Sequence, residues 1–179
     1  MIVIILIFVV LIGFYLYNRK PKKVGAIHSN KCHYFGNLHF STQEFYALVE
    51  QIMTERGIPD VKMSRVNYSE GGVLSNKREY LRITRKEDMF DICAAPVGTG
   101  FFVSYWLGEP KHGIRDIALK VPYLSTAVEG WQGTTYYKMD LASMFKLCVK
   151  DAITEAMDQI TTSKGVRGLS DMERMAFSA

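Results

Sequence analysis

The pattern of apolar and polar positions changes in character along the chain. Residues 1–17 form an uncharged, mostly aliphatic run. Residues 41–60 and 140–163 repeat apolar residues at helical spacing, whereas 61–109 hold short runs rich in aromatic and β-branched residues. This pattern predicts a transmembrane anchor over 1–17, a basic polar juxtamembrane linker over 18–40, an α+β cytoplasmic domain over 41–165 and a carboxyl-terminal tail over 166–179.

The amino-terminal run is nearly long enough to cross a bilayer. Seventeen helical residues rise about 26 Å, against a hydrocarbon core of about 30 Å, and slight thinning of the bilayer closes the difference. A cleaved signal peptide places its positive charges before the apolar run, but here they follow it. We therefore predict an anchor, with a signal peptide and a buried core helix as the alternatives.

Four basic residues form a collar directly after this run, namely Arg19, Lys20, Lys22 and Lys23. Basic residues beside a spanning helix tend to remain in the cytoplasm. Near anionic lipid headgroups each is also worth about 1 kcal/mol of membrane attraction. The collar predicts a single-pass membrane protein with the amino terminus outside and the carboxyl-terminal domain in the cytoplasm.

Two amphipathic helices are predicted in the domain. Ser41, followed three residues later by Glu44, forms a capping box, and Gly57 with Pro59 closes the first helix. The second helix runs from about 140 to 163, and one more helical turn is expected at 171–175. The apolar stripe of the second helix is wide enough to cover a sheet face and contains Leu141, Met144, Phe145, Cys148, Val149, Ala152, Ala156 and Ile160.

Four strands are predicted between these helices, at 61–69, 79–85, 90–95 and 101–107. The connections between them are short, which is typical of antiparallel neighbours. Residues 134–138 are a candidate fifth strand. The predicted fold is therefore α+β, with a two-layer domain in which an antiparallel meander of four to five strands is covered by two amphipathic helices.

The net charge of +4 is confined to the region beside the anchor. Residues 1–31 carry five of the 22 basic residues and no acidic residue, which leaves 17 basic and 18 acidic residues elsewhere. A near-neutral domain lacks the basic patch that is typical of nucleic-acid binding. We therefore predict no nucleic-acid partner. The expected partners are the lipid bilayer, anionic headgroups and an unknown protein or small molecule.

No cofactor or metal ion is predicted from the motifs. His28, Cys32, His33 and His39 are residue types that bind zinc, but their spacing matches no paired zinc motif. The favoured interpretation is a polar linker that happens to contain these side chains.

Catalytic residues are not defined by the sequence either. Cys93 and Cys148 lie in apolar contexts and are predicted to be small core residues rather than thiolates. Acid–base chemistry would require the fold to bring together residues that are separated in the sequence. The candidates for it are Asp91, Glu109, His112 and Asp116.

Both tryptophans are candidates for a partner surface. Trp131 is flanked by Gly130 and Gly133 in a segment, 108–135, whose pattern predicts no clear element. Trp106 lies in the last predicted strand. Large aromatic residues with a polar edge are suited to interfaces, although packing against the sheet is the alternative interpretation for both.

Parts of the predicted sheet resemble a family of small bacterial proteins that have an amino-terminal anchor and no assigned function. The resemblance is carried by Glu79-Tyr80-Leu81-Arg82-Ile83, by Phe90-Asp91-Ile92-Cys93-Ala94-Ala95-Pro96 and by 101–109. It implies a bacterial inner membrane location and brings no activity or site residue with it.

Two classes of function follow from these observations. The favoured hypothesis is a membrane-tethered cytoplasmic interaction or ligand-binding module of unknown specificity. The alternative is an enzyme of unrecognised family that acts on a membrane-associated or small-molecule substrate. A deep pocket with converging acid, base and His groups would favour the enzyme, and a flat aromatic patch would favour the module.

Overall fold

A computed structural model of the chain describes residues 26–69, 77–110 and 135–178. The described part is an α+β domain with a five-stranded antiparallel sheet. Its elements in chain order are β1 (Ile27–Phe35), α1 (Thr42–Glu55), β2 (Lys62–Ser69), β3 (Lys77–Arg85), β4 (Asp88–Val97), β5 (Gly100–Gly108), α2 (Tyr136–Ser163) and α3 (Asp171–Ser178).

Helix α1 begins where its capping signal predicts. The Ser41 hydroxyl accepts a hydrogen bond from the Glu44 N–H at 3.4 Å, which satisfies one of the free donors of the first turn. The helix ends before Gly57, which adopts a φ of +61° that suits glycine. Its apolar stripe is buried, so the predicted first helix is confirmed.

The four predicted strands form the meander β2-β3-β4-β5. Strands β3, β4 and β5 are slightly longer than expected, and β2 is one residue shorter. Strands β4 and β5 are joined by a tight hairpin in which Val97 pairs with Gly100 and Gly98 adopts a φ of +58°. Strands β3 and β4 are joined in the same way, since Arg85 pairs with Asp88. Because these turns are so short, they fix the register of neighbouring strands.

The fifth strand of the sheet is β1, which pairs with β5 at the sheet edge. The sequence pattern assigns these residues to the polar linker, and that assignment is wrong for 27–35. Most side chains of β1 are exposed or half-buried, and only Phe35 is fully buried. An edge strand of this kind has no clear apolar alternation, so its signal is hidden in the sequence.

The main core lies between one face of the sheet and the three helices described. Strand residues of this face alternate, as Leu81 and Ile83 of β3 illustrate, and are fully buried. Helices α1 and α2 are held together by Arg56, which donates to the Cys148 carbonyl at 2.6 Å and to the Glu155 carboxylate at 2.8 Å. The two-layer architecture that the sequence predicts is thus confirmed for the sheet and the helices.

Helix α2 begins earlier than the sequence predicts. The Thr135 hydroxyl caps it by accepting from the Lys138 N–H at 3.2 Å, and the helix starts at Tyr136. The predicted strand at 134–138 is therefore wrong from Tyr136 onwards. The apolar stripe is also shifted. Met144 is 60% exposed, whereas Ile153 and Met157, which lie outside the predicted stripe, are buried.

The predicted tail belongs to the folded domain. Helix α3 covers Asp171–Ser178, and Glu173 caps it by accepting from the Ser170 N–H at 2.7 Å. Leu169 and Phe177 are buried in the main core. The domain therefore extends well beyond residue 165, where the sequence pattern places its end.

The predicted anchor, its basic collar, the acid–base candidates His112 and Asp116, and Trp131 lie outside the described residues. Within 26–69, 77–110 and 135–178, no helix is long and apolar enough to cross a membrane.

Candidate functional site

The sheet face opposite the three helices, called here the outer face, carries most of the chemically distinctive side chains. Strand alternation directs these residues away from the main core, and the register sets Arg82 opposite Asp91 and Asp91 opposite Trp106. Its central members are Tyr68, Tyr80, Arg82, Asp91, Cys93, Ser104 and Trp106.

A buried ion pair lies at the centre of the outer face. Arg82 donates to both carboxylate oxygens of Asp91, from Nε at 2.7 Å and from Nη2 at 2.8 Å. Tyr68 donates its hydroxyl to Asp91 Oδ2 at 2.7 Å and also contacts Arg82 Nη2. Only 4% of the Asp91 side chain and 13% of the Arg82 side chain are exposed. This bidentate geometry is the strong form of such a pair.

Arg82 and Tyr68 are each held in one protonation state. The hydrogen bonds to Asp91 raise the pKa of Arg82, so the guanidinium stays charged. Burial, and after it the hydrogen bond to Asp91, raises the pKa of Tyr68 above its ordinary value, so the phenol stays neutral. The Asp91 carboxylate accepts three hydrogen bonds from these two side chains, so the three residues form one connected cluster.

Beside the ion pair lies a second group formed by Arg78, Tyr80 and Cys93. Burial raises the pKa of the Cys93 thiol, and this outweighs the opposing effects of Arg78 and Tyr80. The thiol is therefore protonated and a poor nucleophile at neutral pH. The Tyr80 ring packs edge-on against the Tyr68 ring, with 5.2 Å between centroids. Aromatic packing thus joins this group to the ion pair.

Tyr46 supports this region from the helix side. Its hydroxyl donates to the Glu79 carbonyl at 2.9 Å and accepts from the Ala94 N–H at 3.0 Å. The pairing of β3 with β4 ends at Leu81 and Ile92, and the same register would place Glu79 opposite Ala94 two residues further along. The hydroxyl takes the place of their direct backbone bond. The two strands are consequently bridged, rather than paired, beside the thiol described above.

Trp106 borders the ion pair on the β5 side. It pairs across the sheet with Asp91 and with Asn30, and 39% of it is exposed. Asn30 is fixed in turn because its amide donates to the Tyr105 carbonyl at 3.0 Å. A large, partly exposed indole therefore lies on a rigid strand, next to a charge pair that is already neutralised.

The structure brings only some of the predicted site residues together. Trp106 and Asp91 are neighbours on the outer face, whereas Trp131 and the basic collar, Arg19, Lys20, Lys22 and Lys23, lie outside the described residues. Cys93 is buried as predicted, but on the outer face rather than in the main core.

The candidate metal ligands are separated by strand alternation. Cys32 pairs with Ser104 and His33 with Val103, so their side chains point to opposite faces of the sheet. Within the part of the chain that the structure describes, no group of three or more His, Cys, Asp or Glu side chains could hold a metal ion. His28 instead contacts Glu109 at 3.2 Å.

The Arg82–Asp91 pair is the feature that sequence reasoning missed. A charged residue in the middle of each of two apolar strands is a detectable signal. A tight turn centred between residues 82 and 91 places them opposite each other in an antiparallel hairpin. Recognition of that turn as a two-residue hairpin would have revealed the pair.

Comparison of the chain with models of protein families, with curated proteins and with solved structures finds no match. The outer face must therefore be interpreted from its own chemistry.

Proposed function

We propose that the chain is a membrane-tethered cytoplasmic module that binds a protein partner through the outer face of its sheet. Residues 1–17 span the cell inner membrane with the amino terminus outside, and the basic collar contacts anionic headgroups. The tether concentrates the domain beside other proteins of the same membrane, which raises the effective concentration of a partner there.

The observation that carries the proposal is Trp106, which is 39% exposed at the border of the buried cluster on the outer face. Tyr, Trp and Arg are enriched at the centres of protein interfaces, and the outer face combines Trp106 with Tyr68, Tyr80 and Arg82. Because Arg82 is neutralised by Asp91 within the domain, a partner need not supply a charge to match it. This arrangement favours association through aromatic contact.

The enzyme alternative receives less support from these groups. Burial raises the pKa of both the Tyr68 phenol and the Cys93 thiol, so each keeps its proton at neutral pH. The Asp91 carboxylate accepts three hydrogen bonds from within the domain. General acid–base or nucleophilic catalysis needs a group that can change its protonation state near neutral pH. Within this cluster, binding is the better-supported role.

Membrane topology is tested with two reporters fused after Ala179, one active only in the cytoplasm and one active only after export. We expect the first to be active and the second inactive, and the chain to stay in the membrane after alkaline extraction. An active export-dependent reporter would contradict the orientation, and extraction of the chain would contradict the anchor.

Partner binding is tested by placing a photoreactive amino acid at Trp106 in the full chain, in native membranes. The matched control carries the same group at Met172, which is 78% exposed on α3. We expect a discrete protein adduct at position 106 that is absent at 172 and is diminished by Tyr80→Ala. A small-molecule adduct at 106 would redirect the proposal to ligand binding, and equal labelling at both positions would refute it.

A further inference from the structure

The first turn of α2 exposes an unusual concentration of apolar surface. Tyr136 is 87% exposed, Tyr137 71% and Met139 53%. These three residues, called here the α2 tip, lie in a part of the helix that does not contact the main core, since the first fully buried position of α2 is Phe145. The tip is therefore an apolar surface held on a helix rather than on a loop.

The α2 tip projects beyond one end of the sheet. Phe145 packs against Phe90 with 5.9 Å between ring centroids, and Lys146 pairs with Asp88 at the start of β4 at 3.0 Å. The helix first meets the sheet at this level and continues over it toward the opposite end. A rise of about 1.5 Å per residue places Tyr136 about 13 Å past Phe145.

The chain enters the domain at the same end of the sheet. Strand β1 begins there, with Ile27 paired to Gly108, and Met89 of β4 is paired to Gly108 from the other side. The Ala26 carbonyl accepts a hydrogen bond from the Glu109 N–H at 3.0 Å, which fixes the entry point. The α2 tip and the end of the amino-terminal segment are therefore on one side of the domain.

The length of that segment limits how far this end can be from a bilayer. Nine residues, 18–26, separate the apolar run from β1, and nine extended residues span at most about 30 Å. A helix tip that projects about 13 Å toward the entry side covers a little under half of that distance. The tether thus brings the tip within reach of the interface.

We propose that the α2 tip docks on the lipid bilayer and sets the orientation of the domain on the membrane, an inference that rests on the proposed tether. Tyr is enriched at the water–lipid boundary, where its ring is buried and its hydroxyl remains hydrated, and Met139 adds apolar area. Trp106, at the border of the outer face, is then held in a fixed orientation to the membrane, where a partner in the same bilayer can contact it.

The area of the tip favours a bilayer over a protein as its occupant. Each Tyr can bury about 150–250 Å², so the two tyrosines with Met139 offer about 500 Å². A stable protein interface needs about 800 Å² on each partner. Insertion into the interfacial region of a bilayer needs no minimum apolar area, because the strength of membrane binding grows with the area buried.

The test uses the full chain in nanodiscs of phosphatidylcholine and phosphatidylglycerol, with a photoreactive phenylalanine analogue at Tyr137. Irradiation followed by mass spectrometry identifies lipid adducts. The matched control places the analogue at Met172, which is more exposed than Tyr137 but follows the far end of α2. We expect a lipid adduct at position 137 and no lipid adduct at position 172.

Two outcomes would overturn this inference while leaving the tether intact. One is lipid labelling at 137 no greater than at 172, and the other is an adduct at 137 to a second copy of the chain. Retention of the chain on the nanodisc at alkaline pH is measured in the same samples and reports on the tether alone. Release of the chain would overturn both proposals together.

Discussion

Removal of the Arg82 side chain is the sharpest test of the buried cluster. In Arg82→Met, an apolar side chain of similar length replaces the guanidinium, and the Asp91 carboxylate loses its two donors from that residue. Among the contacts of the described residues, the hydrogen bond from the Tyr68 hydroxyl is then the one that remains to this carboxylate. A buried charge left without its partner is destabilising, because water cannot reach it to replace the lost interaction.

The expected cost follows from the burial of the pair. With only 4% of Asp91 and 13% of Arg82 exposed, the loss of one partner should cost about 3–5 kcal/mol of unfolding free energy. For a chain of this length, 1 kcal/mol lowers Tm by about 2–4 °C. We therefore expect Arg82→Met to lower Tm by about 10 °C.

The assay is thermal and urea unfolding of the full chain in detergent, followed by circular dichroism. A double-mutant cycle with Asp91→Leu separates the pair from each residue alone, because the double variant has no uncompensated charge. We expect the double variant to be at least about 2 kcal/mol more stable than the sum of the single losses implies.

Arg167→Met is the matched control, because Arg167 pairs with Glu173 at 3.1 Å but its side chain is 76% exposed. An exposed pair contributes between about 0 and 1 kcal/mol, so this variant should unfold almost as the parent does. If Arg82→Met costs no more than the control, or if the losses in the cycle simply add, the reasoning about burial is refuted.

Three further predictions concern the core and the thiols. Gly100→Ala should cost about 1–3 kcal/mol in the same unfolding assay, because a Cβ there meets the Phe35 carbonyl and the Tyr34 ring, whereas Gly36→Ala, which has open space, should be neutral. Iodoacetamide at pH 8 should modify the exposed Cys32 and spare Cys93 until the chain unfolds, because Cys93 is buried and burial raises the pKa of its thiol. Mass spectrometry measures the two rates, and equal rates would contradict this. Burial raises the pKa of Tyr105 from 10.0 to about 12, so the stability that its protonated hydroxyl contributes is complete below pH 10 and is lost as the pH rises through 12. Tyr105→Phe should therefore unfold less readily than the parent in alkali, and an ultraviolet titration in which both unfold equally would exclude this role.

Local sequence signals were sufficient to predict those elements whose apolar positions in the sequence are also the positions buried in the fold. Ser41 and Glu44 predicted the start of α1 because capping depends on neighbouring residues alone. Within the predicted strand 79–85, Leu81 and Ile83 alternate with polar residues and form one buried face of β3, because strand alternation is also local. These signals, with the short turns, were enough to predict an α+β meander with two helices.

Some elements form only because another part of the chain packs or pairs with them, and these are visible in the tertiary structure alone. Strand β1 is formed because β5 offers an open edge, and its exposed side chains carry no signal of their own. Tyr136 and Tyr137 favour strands by propensity, yet they begin α2 because Thr135 caps it and Phe145 onwards packs on the sheet.

The candidate site divides in the same way. The sequence by itself determined the apolar run, its basic collar and the neutrality of the domain, because charge and hydropathy are properties of composition. Trp106 could be identified as a candidate, but its environment could not. The pairing of Arg82 with Asp91, and the bridging of two strands by Tyr46, depend on register and on helix placement. Such contacts join residues that are distant in sequence, so only the packed chain brings them within hydrogen-bonding distance.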